Sequence, residues 1–175
     1  MSKYDNMTNE QWTAAFDEFI AKYDAPQPEP IKVLDLIMRR PLAEAILRGK
    51  KIIEVREWTN HFYNRMTDKV VDKWMTDHCR DKNMDMEAFK EFMCATRPVE
   101  SIRFRDYRKS WQITAECTEN AMIDVTRQNV ENLQERFNFH ELDDILEDCE
   151  RRNDDMRPLF YYFVIGKIID TNLNI

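Results

Sequence analysis

Glycine is almost missing from this chain, with only two in 175 residues. Where glycine is so rare, one placed directly after a helical pattern points to a backbone turn that other residues adopt poorly. Cysteine is present but unarranged. Cys79, Cys94, Cys117 and Cys149 form no CxxC pair and sit inside apolar patterns, which excludes a disulfide framework and fits reduced structural thiols. His61, His78 and His140 are scattered without ligand spacing, so no metal or other cofactor is expected. No stretch approaches the roughly 20 apolar residues of a membrane helix. The polar N-terminal MSKYDNMTNEQ has no apolar run of the secretory kind, and a cytoplasmic protein with no membrane partner is expected. Cations are outnumbered, 26 Lys and Arg against 33 Asp and Glu, and the net charge of -7 excludes a protein that coats nucleic acid indiscriminately. Internal repeats and low-complexity tracts are absent.

What is present is enough apolar material for a core: 43% hydrophobic and 11% aromatic residues, in a length that suits one domain. Thr8 with Gln11 forms a capping-box pattern ahead of Trp12, Phe16, Phe19, Ile20 and Tyr23, an amphipathic helix. DAPQPEP then alternates proline and cannot be helical, so residues 1–30 form an N-terminal helix and stiff linker. IKVLDLIM predicts a strand. Pro41 opens a helix through PLAEAILR, Gly49 closes it, and KIIEVREW alternates as a strand with Ile53 and Val55 on one side and Glu54, Arg56 and Trp58 on the other.

Helical spacing over Thr67 to Met93 predicts two short helices, with Val71, Trp74, Met75 and His78 on one stripe and Met86, Phe89 and Met93 on the next. VESIRFRD and WQITAECT predict a hairpin, and a separate short strand is expected around Ile123 and Val125. Thr126 caps a helix bearing Val130, Leu133 and Phe137. Asn138 with Glu141 resembles a second capping box before Leu142, Ile145, Leu146 and Cys149. LFYYFVIGKII suits a strand buried on both faces near the middle of a sheet. This order of elements predicts an α+β fold, a small mixed barrel or curved sheet flanked by helices.

Gly49, Lys51, Glu54 and Arg56, a helix-ending glycine followed by a basic residue and a Glu-x-Arg strand, resemble the signature of the ASCH domain family. The resemblance implies a PUA-like small mixed β-barrel over residues 31–175, with the N-terminal helix and a helical insertion at about 65–98 as additions. The parts from His61 and Phe62, through the hairpin and the helical pair, to FVIGKII are similar to the small bacterial acetylcytidine amidohydrolases of that group. Their lysine, threonine and glutamate chemistry, carried over by position, falls on Lys51, Glu54 and Glu135. A glutamate at the threonine position cannot be the same hydroxyl nucleophile.

Two functions are therefore expected in the first instance. One is binding of RNA or a modified nucleoside in a basic cleft around Lys51, with Arg39, Arg40, Lys50 and Arg56 as phosphate contacts and Trp58 as a stacking platform. The other is catalysis: amidohydrolysis of an acylated nucleoside with Lys51 as base, Glu135 as acid and Glu54 in a helping role, or metal-independent RNA cleavage by the same lysine and carboxylates. A third class is protein interaction, with the added helices offering apolar surface to a partner or a second copy. The plainer alternative is also physical: Glu54 and Arg56 could share an ordinary surface ion pair worth under about 1 kcal/mol, and Glu135 could be a solvated helix residue.

Overall fold

The computed structural model describes residues 1–175 as an α+β chain of seven helices and one five-stranded sheet. None of the helices is long and apolar enough to cross a membrane. The chain divides into two compact units, residues 1–29 with 64–97, and residues 30–63 with 98–175.

The first unit is helical. Thr8 caps α1 (Asn9–Tyr23) with a complete capping box, its hydroxyl accepting from the Gln11 N–H while the Gln11 side chain accepts from the Thr8 N–H. Asp68 caps α4 (Lys69–His78) and Asp85 caps α5 (Met86–Phe92), each carboxylate accepting first-turn N–H groups that would otherwise lack partners. The stripes of these helices converge on Phe19, Val71, Ala88, Phe89 and Phe92, and Trp12, Phe16 and Trp74 pack against that cluster. The chain also forms α3 (Asn60–Met66), a helix that the spacing of HFYNRM does not predict.

The second unit holds the sheet, made of β1 (Ile31–Ile37), β2 (Ile53–Glu57), β3 (Val99–Arg105), β4 (Gln112–Asp124) and β5 (Leu159–Thr171), in the order β1-β3-β4-β5-β2. β1 runs parallel to β3, and the other neighbours are antiparallel. The sheet is open, since β1 and β2 are its two edges and share no backbone ladder. Tyr161 and Phe163 on β5, Phe104 and Ile102 on β3, and Leu34 and Leu36 on β1 are fully buried, which explains the unbroken apolar run of β5. The helix α2 (Arg40–Leu47) joins β1 to β2, while α6 (Arg127–Phe137) and α7 (Asp143–Arg152) lie between β4 and β5 in sequence. Val130, Leu133, Leu142 and Leu146 of that helical pair pack with Ile53, Phe160 and Tyr162 of the sheet.

Both glycines answer a local demand. Gly49 lies at φ +70 just past α2, where its N–H reaches the Ile46 carbonyl at 3.0 Å and the chain reverses into β2. Gly166 faces β4, and a Cβ there would stand 2.8 Å from Thr118 Cγ2 and 3.3 Å from Glu116 Cβ. That crowding coincides with register shifts between Thr114 and Glu119, where β4 bulges against β5. The bulges also correct one expectation: Ile123 and Val125 do not begin a separate strand, because β4 continues without interruption to Asp124. A second correction concerns Asn138. It adopts the left-handed conformation that closes α6, its N–H bonded to the Gln134 carbonyl, so it does not cap α7, whose N-cap is Leu142 and which has no side-chain cap.

Candidate functional site

The turn after α2 carries Lys51 back toward β2. Its N–H bonds to the Ala45 carbonyl at 3.1 Å, which fixes the side chain's root against the helix end. From there Nζ lies 3.0 Å from Glu54 Oε2, and the lysine side chain keeps only 9% of its surface exposed. Glu54 is itself buried, at 6% exposure, although it sits on the face that alternation assigns to a polar region. Its second oxygen, Oε1, accepts from Arg56 Nε at 2.8 Å. One carboxylate is thus shared between two cations.

Arg56 has a further partner. Its Nη2 donates to the Ile37 carbonyl at 2.8 Å, so a side chain of edge strand β2 reaches the end of edge strand β1. Unlike a backbone ladder, this single contact leaves the sheet open, yet it requires the sheet to curl until its edges come within one arginine's reach.

On the other side of Lys51 lies a cleft of about 550 Å³, inside the roughly 300–1,000 Å³ range of small-molecule sites. Leu42 and Ala45 of α2 form one wall, Lys50 to Ile53 form the floor, and Phe137 to Glu141, the connection between α6 and α7, form the other wall. Leu42 and Ile52 are both more than two-fifths exposed, so the walls present apolar surface to the opening. Glu141 Oε1 lies 3.4 Å from Lys51 Nζ, and its side chain is 57% exposed. Lys51 therefore has one enclosed partner, Glu54, and one solvent-facing partner, Glu141. Of the two, the solvent-facing carboxylate is the one an entering ligand can displace, because its charge can return to water.

The residues singled out from sequence separate accordingly. Lys50 and Lys51 line the cleft, and Glu54 and Arg56 form the ionic network with Lys51. Arg40 pairs with Glu44 at 2.8 Å and donates to the Asn174 carbonyl at 3.0 Å. Arg39 is exposed beside it, ahead of α2. Trp58 follows the end of β2, half-buried, its ring 5.9 Å from that of Tyr63 and outside the cleft lining. Glu135 is exposed on α6 and does not line the cleft; beside Glu54, the carboxylate that reaches Lys51 is Glu141. His140 adds a polar edge, with Nδ1 2.9 Å from Asp143 Oδ2 and Nε2 3.0 Å from Asn138 Oδ1. The Gln134 amide, and after it His140, hold the Asp143 carboxyl below its usual range.

A second polar network anchors the wall that bears Glu141. Arg136, one residue before Phe137, donates from Nη1 to Glu119 Oε1 of β4 at 3.0 Å, and Tyr162 of β5 donates its hydroxyl to the same oxygen at 2.9 Å. The Arg136 guanidinium is the main reason that the Glu119 carboxyl lies below its ordinary 4.5. Burial, then the hydrogen bond to Glu119, pushes the Tyr162 hydroxyl from 10.0 up to about 12. The signs differ. Glu119 contributes stability that is complete above 4.5 and fades as pH falls through its lowered folded-state value. Tyr162 contributes stability that is complete below 10.0 and is lost as pH rises through about 12. The stability gap between wild type and Glu119→Gln, followed by urea unfolding, is therefore expected to stay constant above 4.5 and to narrow below it. A gap that persists unchanged into strong acid would contradict the pairing.

Comparison with protein-family models, with curated proteins and with solved structures finds no match for this chain.

Proposed function

We propose that residues 30–63 and 98–175 form an ASCH-type, PUA-like module that binds a modified nucleoside, free or exposed within an RNA, in the cleft beside Lys51. The observation that carries this is the placement of Lys51 Nζ between Glu54 at 3.0 Å and Glu141 at 3.4 Å, at the edge of a nucleoside-sized cleft. Glu54 fixes the ammonium's position, and the apolar walls suit a base ring. An acceptor oxygen on the ligand takes the place of the Glu141 carboxylate. The lysine and the Glu-x-Arg strand meet in one network just past the Gly49 turn, which supports the ASCH assignment. The Arg56 contact to Ile37 supports a barrel-like curl in an open sheet.

Lys50 and Lys51 share the cleft lining with Glu141, which makes the cleft only weakly basic and favours a nucleoside over a long polyanion. Calorimetric titration with acetylcytidine and with unmodified nucleosides tests this. Lys51→Ala is expected to weaken binding at least tenfold, about 1.4 kcal/mol, whereas Glu141→Gln leaves it intact or improves it. Binding that survives Lys51→Ala would remove the cleft from consideration.

The contact between Lys51 and Glu141 also favours a second reading, hydrolysis of the acyl amide. No hydroxyl or thiol side chain lines the cleft, so water would be the nucleophile, with Lys51 and Glu141 as the acid–base pair. Water adds to the acyl carbon, the amide C–N bond breaks with proton transfer to nitrogen, and cytidine and acetate leave. Chromatography of acetylcytidine incubated with wild type and with Lys51→Ala decides it: equal rates exclude hydrolysis at this site.

A further inference from the structure

The parallel pair β1 and β3 ends on one side of the sheet, and the chain there sets two short segments together. Met38 N–H donates to the Arg105 carbonyl at 3.0 Å, so Arg39 emerges beside the turn that links β3 to β4. That turn reads Asp106-Tyr107-Arg108-Lys109-Ser110. Tyr107 is 85% exposed, far more than an aromatic ring in a stable turn requires. Arg108 and Lys109 are exposed on its flank.

The turn is held in one shape. The Asp106 carboxylate accepts from the Ser110 N–H at 2.7 Å and from the Ser110 hydroxyl. The Lys109 N–H donates to the Asp106 carbonyl at 3.2 Å, with Lys109 itself at φ +55. A left-handed lysine is a strained choice that the local hydrogen bonds sustain.

Many cations of the chain are tied to carboxylates, although Arg80, Lys82 and Lys90 are also exposed without an ion pair. Arg40, Arg48, Arg103, Arg105, Arg127, Arg136, Arg151 and Arg152 each have a carboxylate partner, as expected in a protein of net charge -7. Arg39, Arg108 and Lys109 make no ion pair. Three unpaired cations, two next to Tyr107 in the turn and one on the adjoining segment after Met38, accompany an exposed ring, and this combination suits single strands: phosphates meet the cations and an unpaired base stacks on the ring.

We infer that this end of the sheet is a platform for single-stranded nucleic acid, with Tyr107 stacking on a base and Arg39, Arg108 and Lys109 contacting the flanking phosphates. An acidic peptide without aromatic residues offers no ring to Tyr107. A membrane would need apolar residues to insert beside the ring, and the turn has none. The inference does not depend on the ligand of the cleft, since none of its four residues lines that cleft.

Fluorescence anisotropy with short labelled oligouridine and oligothymidine, over a range of salt, tests it. Tyr107→Ala is expected to lower affinity about 5- to 150-fold. The double variant Arg108→Glu with Lys109→Glu should lower it at least tenfold and reduce the magnitude of the logarithmic salt slope by about 1.4. Weaker binding of oligothymidine than oligouridine would show that the 2′-hydroxyl is read, and equal binding that stacking and phosphate suffice; both support the platform. Wild-type binding that is absent, or that both variants leave unchanged, overturns it. So does polyglutamate competing as well as the oligonucleotide, or a loss confined to binding of anionic vesicles. Nucleoside titration of the turn variants separates the two sites, because they keep full cleft affinity where Lys51→Ala weakens it.

Discussion

Replacing Glu54 with alanine is expected to destabilise the protein by about 3–5 kcal/mol, the range for breaking a buried ion pair from one side. Glu54 is the only carboxylate that touches both Lys51 and Arg56, and all three are shielded from water, with side-chain exposures of 8%, 9% and 23%. Without it two like charges remain enclosed near each other with a single exposed counter-ion, Glu141. Arg56 would also lose the partner that orients its guanidinium toward Ile37, loosening the tie between the two sheet edges. Lys51→Met should cost far less, under about 2 kcal/mol, because Glu54 keeps Arg56 and a flexible apolar chain fills the lysine's volume. Urea unfolding of both variants gives the comparison. A Glu54→Ala cost below about 1 kcal/mol, the range of solvated surface pairs, would mean that the network is not enclosed.

The second large effect lies in the helical unit. Phe92 on α5 is the hub of its aromatic cluster, with ring centroids 4.9 Å from Tyr4, 5.2 Å from Trp12, 5.6 Å from Phe19 and 5.8 Å from Phe16. Four of its neighbours thus come from the first 29 residues, and truncation would open a void that rigid rings cannot refill. Phe92→Ala is expected to cost about 3–5 kcal/mol, and Phe92→Leu less than half of that. Trp12 reports the event locally. Its indole Nε1 donates to Glu91 at 2.7 Å and its ring stands against Phe92, so its fluorescence should move to longer wavelength in Phe92→Ala as water enters. An unshifted spectrum together with unchanged stability would show that α1 is not packed on α5.

Much of the local structure is legible in the residues because short-range chemistry fixes it. Thr8, Thr126 and Gly49 announce helix ends through caps whose partners lie within four residues. β2 and β5 follow from their apolar patterns. The misses have equally local causes. Bulges between Thr114 and Glu119 shift the alternation of β4, so one 13-residue strand reads as two. Asn138 fits both a helix start and a left-handed helix end, and only the geometry of α6 decides for the latter. The burial of Glu54 was not legible either, since alternation gives its side of the strand but not what covers it. Glu141 pairs with a lysine 90 residues away, and no spacing rule links the two. In the HELDDIL stretch, an acid next to a helix junction was the signal available for it.

The tie between the enclosed network and the cleft is tested most directly by crystals soaked with acetylcytidine. Ligand density is expected within hydrogen-bonding distance of Lys51 Nζ, with the Glu141 side chain turned away and Glu54 still bridging Lys51 and Arg56. Ligand seated elsewhere, with the contact between Lys51 and Glu141 intact, would contradict it.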